Sequence, residues 1–69
     1  MTATNEAIAA NLGVLAEGLR EAATFATSAQ DAIHAGERNL AIGTVLPLVE
    51  TLPQLAGLLT AVIALHRRS

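Results

Sequence analysis

The sequence has no cysteine, tryptophan, tyrosine or lysine, and it has a single phenylalanine. Without cysteine the chain can form neither a disulfide nor a thiolate metal site. Valine and isoleucine together number eight, against 15 alanines and 11 leucines, which disfavours strands and favours helices. Six acidic residues outnumber four arginines, so the chain lacks the basic surface that binds a nucleic-acid backbone, and we expect no nucleic-acid partner.

The length of 69 residues accommodates one domain, residues 1–69. A chain of this size buries only about 60% of the surface that its unfolded form exposes, so a partner chain is the expected stabiliser. Disorder is not expected, because 52% of the residues are hydrophobic and the net charge is only −2. The N-terminal residues carry no positive charge ahead of their apolar stretch, as a secretory signal would, and we therefore expect a cytoplasmic protein.

A first apolar series runs from residue 8 to residue 40 in alternating steps of four and three. This heptad spacing predicts one long helix over roughly residues 5–35, with Thr4 or Asn5 as its N-cap and Gly36 as its stop. Thr27 and Gln30 have the spacing of a capping box, which leaves open a second helix start near residue 28. The unbroken series favours the single helix.

A second series, from residue 45 to residue 66, alternates in the same way after a predicted connection at residues 36–44. Pro47 suits the first turn of a helix, whereas Pro53 lies inside it. Two versions remain open: a helix over 44–50 followed by another over 52–67, started by a capping box of Thr51 and Gln54, or one helix kinked near Pro53. The second helix could also begin as early as Asn39. Either version gives an all-α antiparallel helical hairpin, with the second helix kinked or broken near Pro53.

The apolar residues outnumber those that one interface between two helices would use. We therefore expect two hairpins to pack as a four-helix bundle, most simply a homodimer with twofold symmetry. The predicted packing seam, which serves both the hairpin and the oligomer, comprises Ile8, Leu12, Leu15, Leu19, Ala22, Ala26, Ala29, Ile33, Leu48, Leu52, Leu55, Leu59 and Val62.

The chain length and the two heptad series resemble those of the plasmid copy-number Rop proteins. The resemblance implies a dimeric four-helix bundle, and in that family a basic polar face binds paired RNA loops. The corresponding face of the first helix here mixes both signs of charge, so RNA binding is kept only as a further alternative. The residues of that face are Glu17, Arg20, Glu21, Asp31 and Arg38.

Few residues suggest chemistry. Asp31, His34 and Glu37 are spaced three apart, but an acid and a histidine on one helix are too few for a tetrahedral metal site, so we expect a solvated cluster and no metal or other cofactor. The sequence contains no nucleophile–base pattern and no glycine-rich phosphate loop, so we expect no enzyme. Phe25 is expected to pack, and Glu50 to face solvent.

The sequence therefore predicts a small self-associating helical protein that acts through protein–protein contacts, as an assembly, scaffolding or regulatory module for an unidentified protein partner. The alternative is a small membrane-inserted protein with a spanning segment within residues 40–65, followed by His66, Arg67 and Arg68. Glu50 and Gln54 in that segment oppose this alternative.

Overall fold

Helix α1 spans Ala3–His34 in a computed structural model, which describes residues 2–68. Its N-cap is Thr2, two residues before the earliest predicted cap, and the Thr2 hydroxyl accepts a hydrogen bond of 3.1 Å from the backbone amide of Asn5. The Thr27 hydroxyl donates to the carbonyl of Ala23 at 2.9 Å, and the helix continues through this position. The prediction of a single long helix is confirmed, and no second helix starts near residue 28.

The turn after α1 is shorter than predicted. Gly36 has a φ of 79°, a conformation that favours glycine, and its amide donates to the carbonyl of Ile33 at 3.0 Å. The amide of Glu37 donates to the carbonyl of Ala32 at 2.9 Å, which completes a Schellman motif. Helix α2, Arg38–Val45, begins directly afterwards, so most of the predicted connection is helical.

Helix α3 spans Leu48–Arg68, and the interruption between α2 and α3 lies at Leu46 and Pro47. The structure thus has two helical arms, the second of them kinked, but the break lies six residues before the predicted position at Pro53. Pro53 is inside α3, where it leaves the carbonyl of Val49 without a backbone donor. Val49 is exposed, so water can bind this carbonyl. The predicted capping box does not form, because the Thr51 hydroxyl donates to the carbonyl of Pro47.

The described residues form a single layer of two antiparallel arms, with α2 and α3 both packed against α1. The molecule measures 51 × 18 × 11 Å, so it is long and little more than one helix thick. A layer this thin can enclose few large side chains. Its buried residues are Ala22, Ala29, Ala32, Ala41 and Leu55, four of them alanine.

Gly18 and Leu55 form the tightest contact between the arms. A methyl group at Gly18 would overlap the side chain of Leu55, whereas one at Gly13 would meet no atom within 4 Å. Glycine disfavours a helix interior by about 1 kcal/mol relative to alanine.

We therefore expect Gly13→Ala to raise the free energy of unfolding by about 1 kcal/mol. Gly18→Ala should give no such gain, because the displaced Leu55 side chain offsets the improved helix propensity. Urea unfolding followed by circular dichroism measures both variants. An equal gain in the two would contradict the close contact between the arms.

Candidate interaction surface

The structure divides the predicted packing seam into two sets that alternate along the chain. One set is buried or half-buried between the arms: Ile8, Leu15, Ala22 and Ala29 of α1, and Leu48, Leu55 and Val62 of α3. The other set is exposed: Leu12, Leu19, Ala26 and Ile33 of α1, and Leu52 and Leu59 of α3. Of the residues predicted for the seam, only the first set packs between the two arms of the hairpin.

The remaining contacts within the hairpin come from residues that the sequence reasoning missed. Asn11 and Gly18, seven residues apart, are half-buried, and Ala32 continues the same row as a buried residue. The Asn11 side-chain amide donates to the carbonyl of Ala7 at 2.9 Å, so its polar group is satisfied. A seven-residue recurrence was available in the sequence as a signal, but small and polar side chains carry little hydrophobic weight. On α3 the corresponding half-buried residues are Thr51, Leu58 and Leu65.

The exposed set lies on one side of the layer. In an antiparallel pair of helices, take the residue four positions after each buried residue of either helix. These residues all lie on one common side of the pair. The groove between α1 and α2 confirms this geometry, because Ala26 and Ile33 line it together with Ile42 and Val45. We call this side the open face and define it by its large apolar members: Leu12, Leu19, Ile33, Ile42, Val49, Leu52, Leu59 and Ile63.

Exposure of large apolar side chains is strongly directional. Of the twelve large hydrophobic residues that are exposed within residues 2–68, the open face holds eight. Their exposed fractions run from 42% for Ile63 to 69% for Val49. Scattered surface leucines are ordinary, whereas large apolar residues exposed together on one side form the kind of surface that a protein partner or a membrane covers.

The opposite side of the layer, the polar face, carries most of the acidic groups. Glu17 and Glu21 line a shallow groove there with Val14, Thr51 and Leu55. The helical spacing places Glu50 and Gln54 of α3 on this side as well. Glu17 also forms an ion pair with Arg20 at an N–O distance of 3.2 Å, and both side chains are 69% exposed. The expectation that Glu50 faces solvent is confirmed, because it is exposed.

The total surface area shows how much the hairpin leaves uncovered. A compact soluble monomer of 7.1 kDa exposes about 4,100 Å², whereas this chain exposes 5060 Å². The excess of about 1,000 Å² is comparable to the roughly 800 Å² that each partner buries in a protein–protein interface of standard size.

The other residues considered as functional sites give weaker indications of a function. Asp31, His34 and Glu37 are all exposed, and no three histidine, aspartate or glutamate side chains within residues 2–68 are placed to hold a metal ion. Phe25, expected to pack, is 45% exposed at the edge of the contact between the arms. By length and composition the segment Arg38–Arg68 could cross a membrane, because it contains an 18-residue window with a mean hydropathy of 1.7, although one such segment alone is a weak indication.

Comparisons of the chain with protein-family models, with curated proteins and with solved structures gave no match.

Proposed function

We propose that this chain is a small self-associating module, whose hairpins pair through their open faces into a four-helix bundle. The observation that carries the proposal is the open face itself, where the exposed half of the packing seam from both arms lies on one side of the layer. The buried residues that close each hairpin are four alanines and one leucine, whereas eight large apolar side chains are exposed on the open face. A second copy supplies a surface of the same shape and chemistry.

Pairing through the open faces would leave the polar faces outward. The acidic and amide groups of that side would then be available to a protein partner, and we propose that the dimer acts through such contacts as an assembly, scaffolding or regulatory module, with no chemistry of its own. The cytoplasm is the compartment we propose for it.

A membrane-inserted protein is the second candidate, since the segment Arg38–Arg68 has a window of mean hydropathy 1.7 of which only 11% is buried. A spanning helix faces lipid on many sides, however, and the large exposed side chains of α3 do not surround it. They lie on the open face, and Glu50, Gln54 and Thr60 are exposed elsewhere on the helix. This one-sidedness favours a flat protein partner.

Sedimentation equilibrium of the purified chain without detergent tests the proposal. We expect a particle of twice the 7.1 kDa chain mass that dissociates on dilution. A monomer at every concentration tested would overturn self-association. Partition into lipid vesicles, with no dimer in their absence, would instead support the membrane candidate.

A further inference from the structure

The proposed dimer leaves open how the second copy is oriented, and the charges at the edges of the layer bear on this point. Two open faces can meet about a twofold axis parallel to the helices, which places both turns at the same end. They can also meet about an axis across the helices, which places the turns at opposite ends. The choice between these arrangements rests on the proposed function, because it presupposes the dimer.

The contacts within the hairpin fix which residues of the two arms are level. Gly18 lies against Leu55, and Ala32 packs with Ala41 near the turn. Because the arms are antiparallel, each step toward the N-terminus of α1 corresponds to a step toward the C-terminus of α3. Twelve residues from the Gly18–Leu55 contact, Glu6 is therefore level with Arg67 to within about one turn.

Glu6 and Arg67 lie at opposite edges of the layer within one chain. Glu6 belongs to a row of exposed residues on α1, seven apart, that points away from the other arm, and the row continues through Gly13, Arg20, Thr27 and His34. Arg67 occupies the matching row of α3. The layer is 18 Å wide, and the one ion pair among the described residues joins Arg20 to Glu17.

The two arrangements bring these charges close to different residues of the partner. With the axis parallel to the helices, α1 stacks on α3 of the partner, and Glu6 comes level with the partner subunit's Arg67 along the same edge. Symmetry then gives two such pairs of opposite charge. With the axis across the helices, α1 stacks on α1 of the partner, and Arg20, near the middle of α1, comes close to its own copy. Glu17 weakens that repulsion but does not replace the two lost pairs.

We infer that the open face is covered by a second copy whose turn lies at the same end, so that Glu6 of each chain faces Arg67 of the partner subunit. Apolar contacts over the open face supply the affinity, and the edge charges select the orientation.

Spin labels at single introduced cysteines test the orientation, because the chain has no cysteine of its own. We expect Glu37→Cys at the turn and Ala3→Cys at the termini each to give a distance between chains below about 30 Å, the width of a four-helix bundle with labels. Thr24→Cys, near the middle, should give a similar distance in either arrangement. Distances near the 51 Å length of the molecule at both ends, with a short one at Thr24, would overturn the orientation and leave the dimer standing. No distance between chains at Thr24 would overturn the proposed function as well.

A charge exchange tests the edge pair. Glu6→Arg should raise the dissociation constant of the dimer about tenfold, since two surface attractions become repulsions, and Glu6→Arg with Arg67→Glu should restore it. The double variant is unfavourable for the dipoles of both α1 and α3, so a merely structural effect of Glu6→Arg would not be rescued. Glu21→Arg on the polar face serves as the matched control and should leave the dissociation constant unchanged. Absence of rescue would contradict the pairing.

Discussion

Leu19→Asp is expected to give a monomer at concentrations where the unaltered chain is a dimer. Leu19 is 49% exposed in the hairpin, on the open face, and does not lie between the arms. Each dimer would bury two copies of this side chain, and replacing a buried leucine by a smaller residue costs at least about 2 kcal/mol per site. Burying an unpaired carboxylate adds to that cost. We expect the dissociation constant to rise by at least about a thousandfold, measured by sedimentation equilibrium.

Val14→Asp is the matched control for this substitution. Val14 is on the same helix and is 57% exposed, but it lines the groove on the polar face. The variant should keep the dimer mass. If Leu19→Asp also kept it, or if both variants lost it equally, the assignment of the open face as the dimer interface would be wrong.

Leu55→Ala is expected to have the largest effect on the fold of the hairpin itself. Among the buried residues of the described part of the chain, Leu55 is the only large side chain, at 7% exposure, and it fills the space left by Gly18. Truncation of a buried leucine costs about 2–5 kcal/mol, a large fraction of the stability of a small domain. Urea unfolding at a fixed concentration above the dimer dissociation constant measures this loss.

The contrasting substitution is Leu46→Ala. Leu46 is 61% exposed at the interruption between α2 and α3, away from the contact with α1. Its replacement should change the free energy of unfolding by no more than about 0.5 kcal/mol, as is usual for surface positions. Equal losses in the two variants would show that Leu55 has no special role in closing the hairpin.

The helical arms were predictable from the sequence because the spacing of apolar residues reports directly on the period of a helix. The unbroken series from residue 8 to residue 40 identified α1, and Gly36 marked its end. The break was placed wrongly near Pro53 because a proline inside a helix removes a backbone hydrogen bond, whereas Pro47 suited a first turn. Pro53 is tolerated inside α3 because the carbonyl of Val49, four residues earlier, can bind water instead of a backbone amide. Pro47, by contrast, lies between α2 and α3.

The division of the packing seam could not be predicted from the same spacing. A heptad pattern shows which residues avoid water, but it does not say whether the covering surface belongs to the same chain or to another one. Leu15 and Leu19 are equivalent in the pattern, yet only Leu15 turns toward α3. Gly18 favours this arrangement, because its missing side chain leaves room for Leu55 on that side of α1.

Under the proposed self-association, the thinness of the layer would tie the lifetime of the protein to its abundance. A hairpin one helix deep buries only five of its described residues, so an isolated copy has little packing to oppose local unfolding and the proteolysis that follows it. Partner binding stabilises a folded chain by mass action, and the partner proposed here is the chain itself. Newly made copies would then be degraded when scarce and persist once numerous, which gives the protein a threshold of accumulation without any dedicated regulator.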